Sequence, residues 1–273
     1  MISVSTAASQ KAQKITLFVH GTDLIPQTSI KPLEELIRHK PGIYSLEKVE
    51  SRYKYAKYLN NLCYYNPEHF PQQDAYIFCW SGKLSNQERI QAAYNLHQEL
   101  NQLCLIYKKK YKKIEITVIT HSHGGNVVLN LANIKEKQEY KIGRLIFMAI
   151  PVQEATKNLV TNPLFKQTTI YATYSTADMT QVLDPQGFES YKKEYQKIFS
   201  KPEKQEHKTE IKIPFFSERM FCDKHVNHIK VQNGNRSITH IEFLLPPFTK
   251  KLTNLLEAAQ KHDFSKDILI FKY

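Results

Sequence analysis

The residues best suited to chemistry lie together in one short stretch near the middle of the chain. The β-branched, apolar run Ile114–Thr120 leads into His121-Ser122-His123-Gly124-Gly125, and a helix-compatible segment follows as far as Ala132. A strand that passes through a tight turn into a helix would place Ser122 at the apex of that turn. The chain has only 8 glycines in 273 residues, well below the average usage of about 7%. Two adjacent glycines are therefore unusual in this chain and indicate a backbone position that requires them.

The string Thr120-His121-Ser122-His123-Gly124 resembles the nucleophile elbow of the α/β-hydrolase superfamily, in which G-x-S-x-G joins a strand to a helix. Threonine stands here in the place of the first glycine. The resemblance implies a serine held in a strained turn, with its hydroxyl exposed above the carboxyl edge of a sheet. It also implies the α/β-hydrolase fold, a doubly wound and mostly parallel sheet flanked by helices. We expect the first antiparallel strands of that fold to be missing, since only 14 residues precede the strand that begins at Ile15.

A second turn matches the same family. The predicted strand Ile15–His20 runs directly into Gly21-Thr22. By the resemblance, the backbone N–H groups of Thr22 and His123 form an oxyanion hole. Gly21 lets the backbone approach the substrate oxygen, and Gly124 and Gly125 support the turn at the serine.

The family also requires an acid and a histidine, in that order, after the serine. Asp178 follows the predicted strand Thr168–Tyr174, and His240 follows the predicted strand Val226–Gln232. We favour Asp178 because it lies close to a strand end, and His240 because a histidine inside or just before a strand is usually structural. Three other residues are alternatives for these roles: Asp184 for the acid, and His225 and His228 for the histidine.

The resemblance implies acyl transfer to water through a Ser-His-Asp triad and an acyl-enzyme. Ser122 would attack an ester-type carbonyl, with His240 as general base and then general acid and with Asp178 orienting its ring. The expected substrate is a small-molecule ester or a lipid. No metal and no organic cofactor is implied.

Two other interpretations remain open. One is a hydrolase fold without activity that serves as a binding or interaction protein, because fold does not fix function. The other is a metallo-hydrolase that uses His121 and His123, whose spacing is similar to the start of an H-x-H-x-D-H metal motif. Gly125 and Asn126 stand where that motif has its aspartate and its third histidine.

The elements that must position these residues alternate along the chain. β-branched and aromatic runs predict six buried strands: Ile15–His20, Ala75–Trp80, Ile114–Thr120, Arg144–Val152, Thr168–Tyr174 and Val226–Gln232. Helix-period segments between several of them favour a parallel sheet covered on both faces.

The clearest helix is predicted over Asn86–Lys110. Ser85 with Glu88 three residues later is a capping-box signature. Apolar residues then recur every three or four positions and predict one buried face: Ile90, Ala93, Leu96, Leu100, Leu103 and Tyr107.

Residues 1–273 are expected to form a single domain with two long excursions, 23–72 and 185–222, that form lids or surface insertions. The first excursion is rich in tyrosine, and we favour a local aromatic cluster over a substrate pocket for these side chains. The tyrosines are Tyr44, Tyr53, Tyr55, Tyr58, Tyr64 and Tyr65.

The formal net charge is +12. A strongly basic chain is suited to bind nucleic acid or an anionic membrane. Its densest run is Lys108–Lys113, which contains five lysines. A solvated helix end is favoured for this run, because cations are favourable at a helix C-terminus. We do not expect nucleic-acid binding, and a peripheral contact with an anionic membrane stays an alternative.

The four cysteines, Cys63, Cys79, Cys104 and Cys222, show no paired spacing and are expected to be free thiols, with Cys79 in the core. The first residues lack the apolar segment of a secretory signal, so a cytoplasmic location is the default expectation. Nothing in the sequence indicates the oligomeric state.

Overall fold

The computed structural model describes residues 12–22, 40–49, 53–182 and 217–273. The strands in this part of the chain join into one sheet with the order β2-β3-β1-β4-β5-β6-β7-β8, and β9 also pairs with β7. The strands are β1 (Gln13–Val19), β2 (Gly42–Ser45), β3 (Ala75–Cys79), β4 (Ile114–His121), β5 (Ile142–Met148), β6 (Thr169–Tyr174), β7 (Val226–Asn233), β8 (Arg236–Ser237) and β9 (Leu269–Lys272).

The sheet is mostly parallel. Antiparallel pairing is found where β2 meets β3 and where β8 meets β7, and the other strand pairs are parallel. Parallel strands end at the same edge, so the residues that follow β1, β4, β6 and β7 are brought to one side of the molecule. The six predicted strands are all confirmed. The fourth ends at Met148 rather than at Val152, because Ala149 turns the chain with φ 52°.

Helices cover both faces of the sheet. They are α1 (Lys54–Tyr65), α2 (Asn86–Lys108), α3 (Gly124–Leu129), α4 (Pro246–Thr249) and α5 (Leu252–Lys261). The buried side chains of α2 and α3 form one core cluster with one face of β4 and β5, including Leu96, Val118, Val127 and Leu145. The buried side chains of α1 and α5 form the second cluster on the opposite face, including Leu59, Ile119, Ile146 and Leu255. Burial on both faces explains why these strands read as continuous β-branched and apolar runs.

The helix predicted from Ser85 is confirmed as α2, and the hydroxyl of Ser85 accepts the N–H of Glu88. The Glu88 carboxylate does not complete a capping box. It accepts instead from the Ser81 hydroxyl at 2.8 Å and from the Lys83 ammonium at 3.3 Å, and these bonds lower its pKa.

One position of the predicted buried face of α2 is wrong. Ile90 is 43% exposed, whereas the neighbouring Arg89 is 1% exposed. The other five predicted positions are buried, and the Arg89 guanidinium is buried as well, where it donates to Gln153 Oε1 at 2.9 Å and to Asn86 Oδ1. Hydrophobic period alone cannot anticipate a buried charge whose partner lies in a distant loop.

The described part of the first excursion belongs to the sheet and its covering layer, since residues 42–45 form β2 and residues 54–65 form α1. Tyr53, Tyr55 and Tyr58 are buried there. Tyr55 and Tyr58 lie 5.9 and 4.8 Å from the ring of Phe18, in keeping with the expected local cluster. Residues 23–39, 50–52 and 183–216 lie outside the described ranges, so the two lids stay predictions.

All four cysteines are free, as expected, and Cys79 is buried in the core while Cys222 is exposed. Within the described ranges, no helix has both the length and the apolar character needed to cross a bilayer.

Candidate active site

The turn between β4 and α3 holds Ser122 in an unusual backbone conformation. Its φ is 53°, and among the described residues only Ala149 shares a left-handed φ without being glycine. Such a conformation costs a side-chain-bearing residue about 1–3 kcal/mol and persists only where the surroundings fix it. The Ser122 N–H donates to the carbonyl of Met148 at 2.9 Å, and its own carbonyl accepts from Gly125 at 3.0 Å. Both main-chain polar groups of Ser122 are therefore bonded, which fixes the backbone of the turn.

The glycines of this region permit close approaches of backbone to backbone. A Cβ at Gly124 would lie 2.3 Å from the carbonyl oxygen of Val19 and 2.5 Å from that of His20. The start of α3 can thus pack directly on the end of β1. A Cβ at Gly21 would lie 2.7 Å from the Cβ of Ser122. The two turns that the sequence pattern singled out are therefore in contact.

Thr120 occupies the position at which the elbow pattern has its first glycine. It is 0% exposed, and it lies in register with Val19 on β1 and Phe147 on β5. Its hydroxyl has no hydrogen-bond partner among the residues that the structure describes. The sheet accommodates the extra side chain, and the polar atom is buried at some cost.

Asp178 and His240 meet in a short hydrogen bond. His240 Nδ1 donates to Asp178 Oδ2 at 2.8 Å, and the aspartate side chain is 0% exposed against 17% for the histidine. The second carboxylate oxygen accepts the backbone N–H of Gln181 at 3.0 Å. An ionised carboxylate only accepts hydrogen bonds, so the proton of the neutral ring lies on Nδ1 and Nε2 is left as the basic nitrogen.

His121 connects this pair to the serine turn. Its Nε2 donates to the backbone carbonyl of His240 at 3.0 Å, and the two rings lie 4.5 Å apart between centroids. His240 thus lies beside the residue that immediately precedes Ser122. The sequence singled out His121 by its place in the motif but could not indicate this contact, which joins positions 119 residues apart.

Two further supports of the acid–histidine pair were missed by sequence reasoning. The guanidinium of Arg219 donates to the carbonyls of Ser175, Thr176 and Asp178 at 3.1, 3.3 and 3.1 Å, which fixes the loop after β6. His240 begins a short 3₁₀ turn that Thr239 and Glu242 cap reciprocally. The capping pair has the recognisable S/T-x-x-E spacing, whereas Arg219 has no local signal because its partners lie about 40 residues earlier.

His123, the residue after the serine, has a buried imidazole. Burial, together with the nearby charges of Arg89 and His240, lowers its pKa to about 3. Its Nδ1 accepts a long hydrogen bond of 3.4 Å from the Asn126 amide. The ring is therefore neutral at neutral pH and brings no titrating charge to the serine turn.

The alternative histidines lie elsewhere. His225 donates to the carbonyl of Phe165 at 2.8 Å, and its neighbour Val226 begins β7 at the amino edge of the sheet. His228 is buried in β7, where its Nε2 accepts the N–H of Phe221 at 2.9 Å. Asp184, the alternative acid, lies outside the described residues.

The metal interpretation of His121 and His123 finds no third ligand among the residues that the structure describes. The two rings have different partners, His240 for the first and Asn126 for the second. Across the described ranges, no group of three or more histidine, cysteine or carboxylate side chains is arranged to hold an ion.

Comparison with known proteins adds no assignment, since no family model matches the chain and no curated protein matches it.

The packing of α3 on β1 predicts the effect of filling the space beside Gly124. Gly124→Ala would force its Cβ to within 2.3 Å of a backbone oxygen, and overpacking of this kind costs about 1–3 kcal/mol. Gly143→Ala is the matched control, because its Cβ would lie 3.4 Å from the nearest atom, Glu115 Cγ. Urea unfolding should show a clear loss for the first variant and little change for the second. Equal stability of the two variants would contradict the close approach.

The buried imidazole of His228 predicts how stability depends on pH. Burial lowers its pKa to about 4 in the folded chain, against about 6.5 in an unfolded chain. The unfolded state therefore binds more protons between these values, and the free energy of unfolding falls as the pH drops below about 6.5. This ring alone should lower it by about 2 kcal/mol at pH 5 relative to pH 7.5.

Urea unfolding of His228→Gln at both pH values checks this expectation. The difference between the two pH values should shrink by about 2 kcal/mol in this variant. It should not shrink in His225→Gln, which removes an imidazole that is exposed at the amino edge. An unchanged difference in His228→Gln would show that the ring does not titrate as its burial requires.

Proposed function

We propose that the chain is a serine hydrolase of the α/β-hydrolase type that cleaves an ester bond in a small molecule or a lipid. One observation carries the proposal. A serine with a left-handed backbone stands at a strand-to-helix turn, and a hydrogen-bonded Asp178–His240 pair lies beside that turn. A strained nucleophile, a histidine and an orienting acid at one sheet edge are the parts of a nucleophilic triad.

In the proposed reaction, Ser122 Oγ attacks the ester carbonyl while His240 Nε2 takes the hydroxyl proton. The alkoxy group then leaves and receives that proton from His240, so an acyl ester remains on Ser122. Water repeats the sequence with the same histidine as base, which releases the acid and restores the serine hydroxyl. Asp178 keeps the ring in the tautomer with Nδ1–H and stabilises the imidazolium that forms.

The oxyanion of each tetrahedral intermediate would be held by the backbone N–H groups of His123 and Thr22. The contact between the Gly21 position and Ser122 supports this assignment, because it brings the second turn beside the nucleophile. One donor of this kind typically contributes about 10²–10³-fold in turnover. The neutral ring of His123 is compatible with the role, which uses only its main chain.

Two exposed apolar side chains support an ester with an apolar acyl or alkyl group. Met179 follows the acid and is 54% exposed, and Ile241 follows the histidine and is 57% exposed. Apolar side chains that flank polar catalytic groups suit an uncharged substrate, because its burial contributes binding energy. A carboxylester or a lipid ester fits this surrounding better than a charged substrate.

Hydrolysis of a short 4-nitrophenyl ester tests the assignment of the three groups. Ser122→Ala should remove activity to the background rate, and Asp178→Asn should lower kcat by about 10⁴ through loss of the correct tautomer. His240→Gln should act like Ser122→Ala, since effects of residues that work as one unit do not add.

The matched controls are His225→Gln and Asp223→Asn, which change the same residue types at the opposite edge and should keep wild-type kcat. Thermal unfolding of each variant separates loss of chemistry from loss of fold. Activity that survives in folded Ser122→Ala would contradict the nucleophile. A wild-type protein that is folded but inactive on a panel of esters would favour a binding protein built on the same fold.

A further inference from the structure

The lysines that the proposed reaction does not use collect at one edge of the molecule. In a parallel sheet, all parallel strands begin at the same edge, opposite the edge that carries Ser122. Exposed lysines stand just before four of these strands: Lys109, Lys110, Lys112 and Lys113 before β4, Lys141 before β5, Lys166 before β6 and Lys224 before β7. The topology thus places lysines from distant parts of the sequence on one surface, which we call the amino-edge surface.

Two carboxylates that the structure describes at this surface are already bonded to other side chains. Glu139 is shared by Lys108 at 2.9 Å and Lys137 at 2.6 Å, and hydrogen bonds from these two lysines lower its pKa to about 2. Asp74 is buried and accepts from the Tyr107 hydroxyl at 2.6 Å. Lys109, Lys110, Lys112 and Lys113 are all exposed, and their charges face solvent.

Exposed apolar side chains are interleaved with these lysines. Leu105 is 47% exposed and Ile106 is 54% exposed on the last turns of α2, and Tyr111 is 40% exposed between the lysines that follow. Leu105 and Ile106 are adjacent in sequence and lie next to the lysine run, so they place apolar surface beside the positive charges. Aliphatic and tyrosine side chains set among lysines match the interface of an anionic bilayer, in which the apolar groups reach the acyl boundary while the ammonium groups meet lipid phosphates.

A cavity of about 650 Å³ opens on the same surface. Its polar lining includes Lys108, Lys112, Lys141 and Lys166 with the single carboxylate of Glu139, and its apolar lining includes Ile114 and Leu164. A hollow with several ammonium groups and an apolar wall is suited to the phosphate and glycerol region of one lipid. Nucleic acid would satisfy the charges, but it offers no partner for Leu105 and Ile106.

We propose that the amino-edge surface docks the protein on a membrane that contains anionic phospholipid. The charge supplies attraction to the lipid headgroups, and the apolar side chains of α2 supply the insertion that distinguishes a bilayer from a polyanion. Docking in this orientation keeps the edge with Ser122 directed away from the membrane to which the protein is bound. The proposal is therefore independent of whether Ser122 is a nucleophile.

Sedimentation with lipid vesicles at about 0.1 M salt tests the proposal. The wild-type chain should partition at least about 10-fold more onto vesicles of 70% phosphatidylcholine and 30% phosphatidylserine than onto pure phosphatidylcholine. Binding should fall steeply at 0.5 M salt, since exposed charges are screened. The quadruple variant Lys109→Ser, Lys110→Ser, Lys112→Ser, Lys113→Ser should lose at least about 10-fold of this binding.

The matched control removes the same number of charges elsewhere. Lys40, Lys57, Lys251 and Lys272 are exposed on other segments, and their replacement by serine should leave vesicle binding close to that of the wild type. A second variant, Leu105→Ser with Ile106→Ser, keeps every charge and should weaken vesicle binding about 5-fold or more. Circular dichroism and ester hydrolysis should be unchanged in all three variants, which separates failure of docking from failure of the fold or of the proposed reaction.

Three outcomes would overturn the proposal. Equal binding of the wild type to neutral and anionic vesicles would remove the role of charge. Equal losses in the two quadruple variants would show that net charge, not the amino-edge surface, controls binding. Binding to a 20-base-pair RNA duplex that exceeds vesicle binding and is unaffected by the Leu105 and Ile106 substitutions would assign the surface to nucleic acid instead.

Discussion

The close packing of α3 against the end of β1 is the constraint on which the candidate site depends. The backbone at Gly124 lies so near the carbonyls of Val19 and His20 that no side chain fits between them. Ser122, with its left-handed φ of 53°, lies two residues before this contact. The turn at Gly21 packs against the same serine. The chain uses glycine sparingly, and at this edge glycine is required by a close approach of backbone to backbone.

The acid and the histidine reach this edge by a separate route. The loop after β6 carries Asp178 and is held by Arg219, while the loop after β8 carries His240 at a capped 3₁₀ turn. His121 joins the two halves, because it precedes Ser122 and donates to the carbonyl of His240. A proposed triad of this kind depends on three loops from distant parts of the chain. The side chains of Arg219 and His121 hold it by donating to main-chain carbonyls.

Much of the fold could be predicted from the sequence because its elements follow local rules. Buried strands are continuous β-branched runs, and the start of α2 carries a serine cap. The predictions fail where a distant partner decides the outcome. Arg89 is buried and bonded to Gln153, whereas Ile90, which the apolar period places on the buried face, is exposed. Arg219 gave no signal, because main-chain carbonyls about 40 residues away are its partners.

The order of Ser122, Asp178 and His240 could be predicted only through the resemblance, and their contacts required the folded chain. The lysines show the same limit, since composition gives their number but only the parallel topology places them at one edge.

The most direct measurement is the site at which a fluorophosphonate probe attaches. The probe forms a covalent bond only with a serine that is activated as a nucleophile, so it does not require the natural substrate to be known. Peptide mapping by mass spectrometry should find a single adduct on the peptide that contains Ser122, formed rapidly in the wild type and much more slowly in Asp178→Asn. An adduct on another residue, or equal labelling of folded Ser122→Ala, would contradict the assignment of the nucleophile on which the proposed function stands.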